Sequence, residues 1–184
     1  MEHDRAALAA GLRGGDPEVL DGLIEQYQHR LFRYLLSITG HRQTAEDLFQ
    51  ETWVRVLERG HQYRPQWSFE TWLFSIARHL AIDLARRRKA ASLDQLMDPD
   101  EGQRFEPSDS NPTPFGQAAA GEEIDRLARG LAGIAPAYRE VLVLRFQEDL
   151  SLEEIAAIIR APLSTAKSRL YRGLEALRRS IGGR

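Results

Sequence analysis

The sequence predicts an all-α protein made of two small helical domains joined by a flexible acidic linker, the second domain carrying a helix-turn-helix. Three observations predict this. Apolar residues recur at three- and four-residue steps in both halves of the chain. No alternating strand pattern occurs anywhere, and a proline-bearing acidic stretch divides the two halves. The expected division is 1–91, 92–121 and 122–184, with 92–121 as the linker, and 184 residues suit such a pair of small domains.

The first domain reads as three helices within residues 16–91. Leu20, Ile24, Tyr27, Leu31, Leu35 and Ile38 form the stripe of the first, and Gly40 is its stop. The second is expected to open at "TAED", where Thr44 and Asp47 resemble a capping box with the shorter carboxylate. Its stripe is Ala45, Leu48, Phe49, Val56 and Leu57. A polar connection holding Gly60 and Pro65 leads to the third helix, starting near Ser68. Phe69, Trp72, Leu73, Ile76, Leu80 and Leu84 are its expected buried face, and it runs into the cations Arg86–Lys89, which suit a helix C-terminus.

The segment 92–121 holds four of the eight prolines and no sustained period, so no packed helix or strand is expected in it. Beyond it, one helix is expected over about 122–134 and another over Pro136–Gln147, with Pro136 in the first turn. Ser151 and Glu154 form a capping box ahead of "IAAII". After the break at Ala161-Pro162-Leu163, a last helix is expected from Ser164 or Thr165, with Ala166, Leu170, Leu174 and Leu177 inward. Two helices across so short a break make a helix-turn-helix, and the small Ala156 suits the crossing point.

Charge decides between classes of partner. The net charge is −2, but residues 92–123 carry eight acidic and one basic side chain, whereas 164–184 carry six basic and one acidic. A local basic patch of that kind is what phosphate binding needs. Thr165, Lys167, Ser168, Arg169 and Arg172 lie off the last helix's apolar stripe, where a recognition helix meets base edges and phosphates. The alternative is a solvated basic face on an ordinary helical hairpin. With no cysteine, thiolate metal sites, disulfides and thiol catalysis are excluded. The five histidines are scattered, with no paired metal-ligand motif and no glycine-rich phosphate loop, so neither an enzyme nor a cofactor is expected. No apolar run approaches the ~18 residues of a membrane span, and the acidic start is unlike a signal peptide, so a cytoplasmic protein without membrane insertion is expected.

Three stretches carry a family resemblance: "AEDLFQETWVRVLER", "FETWLFSIARHLAIDLARRRK" and "LSLEEIAAIIRAPLSTAKSRLYRGLEALR". In this order they resemble regions two and four of the extracytoplasmic-function (ECF) sigma factors, small bacterial initiation factors. The resemblance implies a protein that binds core RNA polymerase, directs it to particular promoters and promotes melting there. It implies that Asp47, Gln50, Glu51 and Trp53 dock on the clamp helices of the largest polymerase subunit. Asp47, Gln50, Glu51 and Val54 share a polar-to-apolar helix face that could meet a basic partner; apart from the family, a solvated acidic face with Trp53 in the core would be the simpler account. It also implies that Tyr63, Gln66, Trp67 and Ser68 form the loop that captures a base of the minus-ten element, with Arg78, His79, Arg86 and Arg87 tracking the backbone. Aromatic faces hold an unstacked base at ~1–3 kcal/mol each. Trp72 lies on the buried stripe and is expected in the core; Trp67 is not.

By the same resemblance, Ser164, Thr165, Lys167, Ser168, Arg169 and Arg172 read the minus-thirty-five element. The second domain would sit on the flap tip of the second-largest subunit, the linker would thread the cleft, and an anti-sigma factor is an expected partner. Two departures stand out. The family usually has Asn where His79 stands and commonly Gly where Arg160 stands, so a turn there with positive φ would be strained. A stand-alone helix-turn-helix regulator is the competing account, but it would need a dimerisation element that the sequence does not offer.

Overall fold

The computed structural model describes residues 2–95, 131 and 133–182, and among these every regular element is helical. Helix α1 (Glu2–Gly14) was not anticipated. Of its described side chains it buries Ala9 and Leu12, a stripe too thin to stand out in the sequence. Helix α2 (Pro17–Thr39) starts on an Asp16 N-cap whose carboxylate accepts from the Glu18 N–H, with Pro17 in the first turn. It stops as expected at Gly40, whose φ of 71° places it in the left-handed region.

Helix α3 (Arg42–Arg59) begins earlier than expected, with His41 at the N-cap and no capping side chain. The Thr44–Asp47 capping box is therefore not formed. Thr44 lies buried inside the helix and its hydroxyl accepts from Arg88 Nη2 at 3.1 Å, which fixes it against the next helix. Leu57, expected inward, is 58% exposed. A 3-10 turn over Gly60–Gln62 follows, and its start is pressed against α1: a Cβ on Gly60 would fall 2.8 Å from the Leu12 carbonyl oxygen.

Helix α4 (Phe69–Gln95) buries Phe69, Leu73, Phe74 and Ala77, with Trp72, Ile76, Leu80 and Leu84 half-buried beside them. It continues through Gln95, so the first residues assigned to the linker are helical instead. Good helix formers in "RRRKAAS" carry the helix on before the first proline intervenes. The rest of the linker and nearly all of the helix expected over 122–134 lie outside the described residues; Leu131 is helical, and Gly133 and Ile134 form a turn.

Helix α5 (Pro136–Leu142) begins with its proline in the first turn and passes into a π-helical turn over Val143–Gln147. Helix α6 (Leu152–Ile159) has both halves of the Ser151–Glu154 capping box, and α7 (Leu163–Gly182) starts at Leu163, just ahead of the expected residue. Gly173 of α7 is buried against α5, where a Cβ would meet Leu142 Cγ at 3.0 Å and the Tyr138 carbonyl at 3.3 Å. Leu174, expected inward, is turned partly to solvent.

The two halves pack together. Helix α6 lies against α4 and α5 against α2, so the buried residues of both halves form one continuous core. Among the described residues no helix is long and apolar enough to cross a membrane.

Candidate nucleic-acid and polymerase interface

Helix α3 separates its residues cleanly by face. Ala45, Leu48, Thr52, Trp53 and Val56 point into the core at the i, i+3, i+4 spacing, while Asp47, Gln50 and Val54 are exposed and Glu51 is half-buried. Trp53, matched with the docking set in the sequence, is thus a core residue. It packs edge-on against Phe49 with ring centroids 6.4 Å apart, and its indole N–H has no hydrogen-bond partner among the described residues. The outward face is acidic with an apolar rim: Val54 is 45% exposed and Leu57 lies next to it. Arg55 is held by Glu51 at 2.9 Å and Glu58 at 3.1 Å, so it does not stand as an isolated cation beside the acids.

The loop before α4 has a buried root and an exposed tip. Tyr63 is buried, with its ring 5.8 Å from Phe69 and 5.4 Å from Trp72, and its hydroxyl donates to the Trp67 carbonyl at 3.1 Å. Desolvation by burial raises its pKa, which keeps the hydroxyl a donor. Tyr63 therefore braces the loop and does not offer a free face for a base in this conformation. Gln66 and Trp67 form the exposed tip, Trp67 at 44%. Beside them lies an open groove of about 300 Å³, walled by Arg64, Gln66, Trp67 and Trp72 on one side and by Ala157 and Arg160 on the other. Trp72 is accordingly a core residue with one edge on the groove.

The cations of α4 divide by depth. Arg86 and Arg87 are exposed near its end. Arg78 is turned inward, its Nε donating to Glu140 at 2.8 Å, so it does not lie on the open face with them. His79 is half-buried, with Nδ1 at 2.6 Å from the Ser75 carbonyl oxygen. Ser68 faces Glu154, its hydroxyl 3.2 Å from Oε1.

Helix α7 presents the other surface. Ser164, Lys167, Ser168 and Arg172 are exposed, Thr165 and Arg169 half-buried, and Ala166, Leu170 and Gly173 face the domain. Among the described residues no carboxylate pairs with Lys167, Arg169 or Arg172. Tyr171 joins this face at 70% exposure, one helical turn after Lys167; that i, i+4 spacing was its only signal in the sequence. The turn ahead of α7 is set by Arg160, which adopts φ 50° and ψ 51° and donates its N–H to Ala156 and Ala157. The left-handed cap that the family resemblance associates with glycine is made here by arginine.

A capped helix-turn-helix whose second helix exposes basic and hydroxyl side chains, with no carboxylate pairing Lys167, Arg169 or Arg172 among the described residues, is the arrangement of the helix-turn-helix class of DNA-binding proteins. The comparisons make that class specific. Residues 23–91 match the Sigma-70 region 2 model and residues 124–177 the Sigma-70 region 4 model. The ECF RNA polymerase sigma factor SigX of Bacillus subtilis is 30% identical over 164 residues, covering 89% of this chain and 84% of its own length. SigE of Mycolicibacterium smegmatis is 35% identical over 159 residues, covering 86% of this chain, which spans 60% of that longer protein. The fold is shared with a sigma factor RpoE from Bartonella quintana solved with the anti-sigma factor NepR: TM-score 0.72 and 21% identity, covering 89% of this chain and 96% of that one. The chain belongs to the ECF sigma factors. It is a transcription initiation factor that directs RNA polymerase to promoters, not an enzyme.

Proposed function

We propose that the exposed surfaces divide the work of initiation as follows, with 1–91 and 122–184 as the working domains and 92–121 between them. The acidic face of α3, through Asp47, Gln50 and Glu51 with Val54 and Leu57 as its apolar rim, docks on a basic helical surface of the polymerase clamp. Gln66 and Trp67 receive one base of the minus-ten non-template strand while Tyr63 holds the loop from beneath. Arg86 and Arg87 lie along the path of the backbone.

The face of α7 enters the major groove of the minus-thirty-five element. Ser164, Lys167, Ser168 and Arg172 are its exposed contacts, with Thr165, Arg169 and Tyr171 beside them, and the domain behind it sits on the polymerase flap. Arg169, half-buried, meets DNA through its guanidinium end, as a long side chain with a packed stem does. An anti-sigma factor holds the protein inactive in the cytoplasm, by analogy with the related RpoE, which was solved with NepR.

The observation that carries this reading is the unpaired basic face of α7 on a capped helix-turn-helix, in one chain with an aromatic loop at the head of a second basic helix. The test is reconstitution: core polymerase plus the purified chain on sheared genomic DNA, with transcript starts mapped. Starts that share two sequence elements, and occur only when the chain is added, support the reading. Starts independent of the chain would overturn it.

A further inference from the structure

None of the residues assigned above to polymerase or DNA belongs to α1, yet its contacts lead to the minus-ten loop. Gly60 opens the 3-10 turn at the root of that loop with φ −52° and ψ −35°, a conformation open to any residue, so the backbone there does not call for glycine. Helix α1 does. A Cβ at this position would lie 2.8 Å from the Leu12 carbonyl oxygen and 3.4 Å from Leu12 Cβ. The helix is in turn seated on the start of α2: a Cβ on Gly11 would fall 2.7 Å from Val19 Cγ2, and the Gly11 carbonyl accepts from the Asp16 N–H at 3.0 Å. Glycine within a helix weakens it relative to alanine, so Gly11 gives up helix stability for that close approach.

From Gly60 the contact runs on to the tip of the loop. The Tyr63 N–H donates to the Gly60 carbonyl at 3.1 Å, and the Tyr63 hydroxyl donates to the Trp67 carbonyl at 3.1 Å. Burial raises the pKa of Tyr63, and Arg5 of α1, half-buried, is the cation whose field opposes the rise. Leu8, Ala9 and Leu12 pack α1 onto the common core. Its outward face carries Ala6, Ala7 and Ala10, with Arg13 tied to the Ala9 carbonyl, and so has little with which to recognise a partner. The helix is fixed to the body of the domain on one side and to the root of the loop on the other.

Resting on the proposed minus-ten role of Gln66 and Trp67, we propose that α1 is a positioning element for promoter melting. Leu12, through Gly60, and Arg5, beside Tyr63, set the height at which the loop carries the Trp67 indole, and neither meets the base. Capture of an unstacked base needs its aromatic partner held in place before the base arrives, which a loop resting only on its own residues does not provide.

The test uses the full chain, and Gly60→Ala is the probe. Alanine suits φ −52°, so the turn keeps its conformation, but the new Cβ meets a backbone carbonyl well inside the 3.4 Å at which ordinary contact begins, and α1 and the turn must move apart. Gly22→Ala is the control: the same change in α2, with open space around the new Cβ. Reconstituted polymerase opens duplex promoters carrying a fluorescent base analogue in the minus-ten element, and affinity for core polymerase is measured separately on the same proteins. Gly60→Ala should keep its core affinity and slow opening about tenfold, in line with the ~10²-fold that a misplacement of about 1 Å can cost. Gly22→Ala should open promoters as the native chain does. In a Trp67→Ala background the effect of Gly60→Ala should be much smaller, because the group it displaces is gone.

If Gly60→Ala fails to fold by circular dichroism, Arg5→Ala, at a half-buried site, is read in the same way. Native opening by the probe, a parallel loss of core affinity, or an effect of the same size in the Trp67→Ala background each overturns the positioning role. Native opening by Trp67→Ala alone overturns the minus-ten reading instead, since that variant leaves α1 and Gly60 untouched.

Discussion

The substitution Trp67→Ala removes the exposed aromatic face at the tip of the loop and leaves its support in place. Tyr63 holds this loop through the Trp67 carbonyl, which alanine keeps, and the Tyr63–Phe69–Trp72 ring cluster below is untouched. With the indole already 44% exposed, the folding cost falls well short of a buried aromatic truncation, at about 1 kcal/mol or less. The stacking it would supply to a captured base is ~1–3 kcal/mol, or roughly 5- to 150-fold in the opening equilibrium. A fluorescent base analogue in the minus-ten element, followed after mixing with reconstituted polymerase, reads that loss directly. A pre-melted promoter removes the unpairing cost and should rescue the variant in part. Tyr63→Phe is the internal control: it deletes the brace, costing about 0.5–1.5 kcal/mol of stability, but removes no base contact. A Trp67→Ala protein that is strongly destabilised yet opens promoters at the native rate would refute the reasoning and put base capture elsewhere in the loop.

Arg160→Gly should stabilise the protein by about 1 kcal/mol and raise Tm by roughly 2–4 °C, because the native φ of 50° costs an L-residue ~1–2 kcal/mol while glycine gives back part of that in chain entropy; an unchanged or lower Tm in calorimetry contradicts the strained cap. Lys167→Ala and Arg172→Ala should each weaken promoter binding by the holoenzyme; a phosphate contact will show as a salt slope reduced by about one, a bidentate guanine contact as preference relaxed by ~1–3 kcal/mol at one base pair. Burial works against charge on Glu154, but the Ser151 N–H and hydroxyl together with Ser68 and Thr71 outweigh it and hold the carboxyl below its ordinary pKa. Its contribution to stability is therefore complete above the ordinary carboxylate range and lost as pH falls through the depressed folded value, so native and Glu154→Gln urea midpoints should differ at pH 7 and converge in acid. A gap that persists in strong acid would mean the carboxylate's charge is not what stabilises.

What could be read from the sequence was what is settled within a few residues. Gly40 and the Ser151–Glu154 box satisfy backbone groups of their own helices, Pro136 removes an N–H that would have had no partner within its helix, and each is found where the sequence placed it. Thr44–Asp47 has the same local spelling, yet the backbone enters the helix earlier and Thr44 is taken by Arg88, a tertiary partner invisible to a local motif. Trp53 was matched by family position, although its spacing from Phe49 and Val56 already placed it on the inward stripe. The family resemblance places Tyr63 and Arg78 among the minus-ten contacts by position alone. Their actual partners, Trp67 and Glu140, depend on how the chain folds back on itself. The pairing of Arg78 with Glu140 spans 62 residues and has no periodic signature, so the contact between the domains could not be anticipated.

The measurement that tests the central claim most directly is a photocrosslink from residue 67. A benzophenone amino acid replaces Trp67, and the complex of polymerase, protein and promoter is irradiated at equilibrium. The account predicts a crosslink to a single base of the minus-ten non-template strand, seen only when core polymerase is present. Crosslinks spread over upstream duplex, or none to DNA at all, would contradict it.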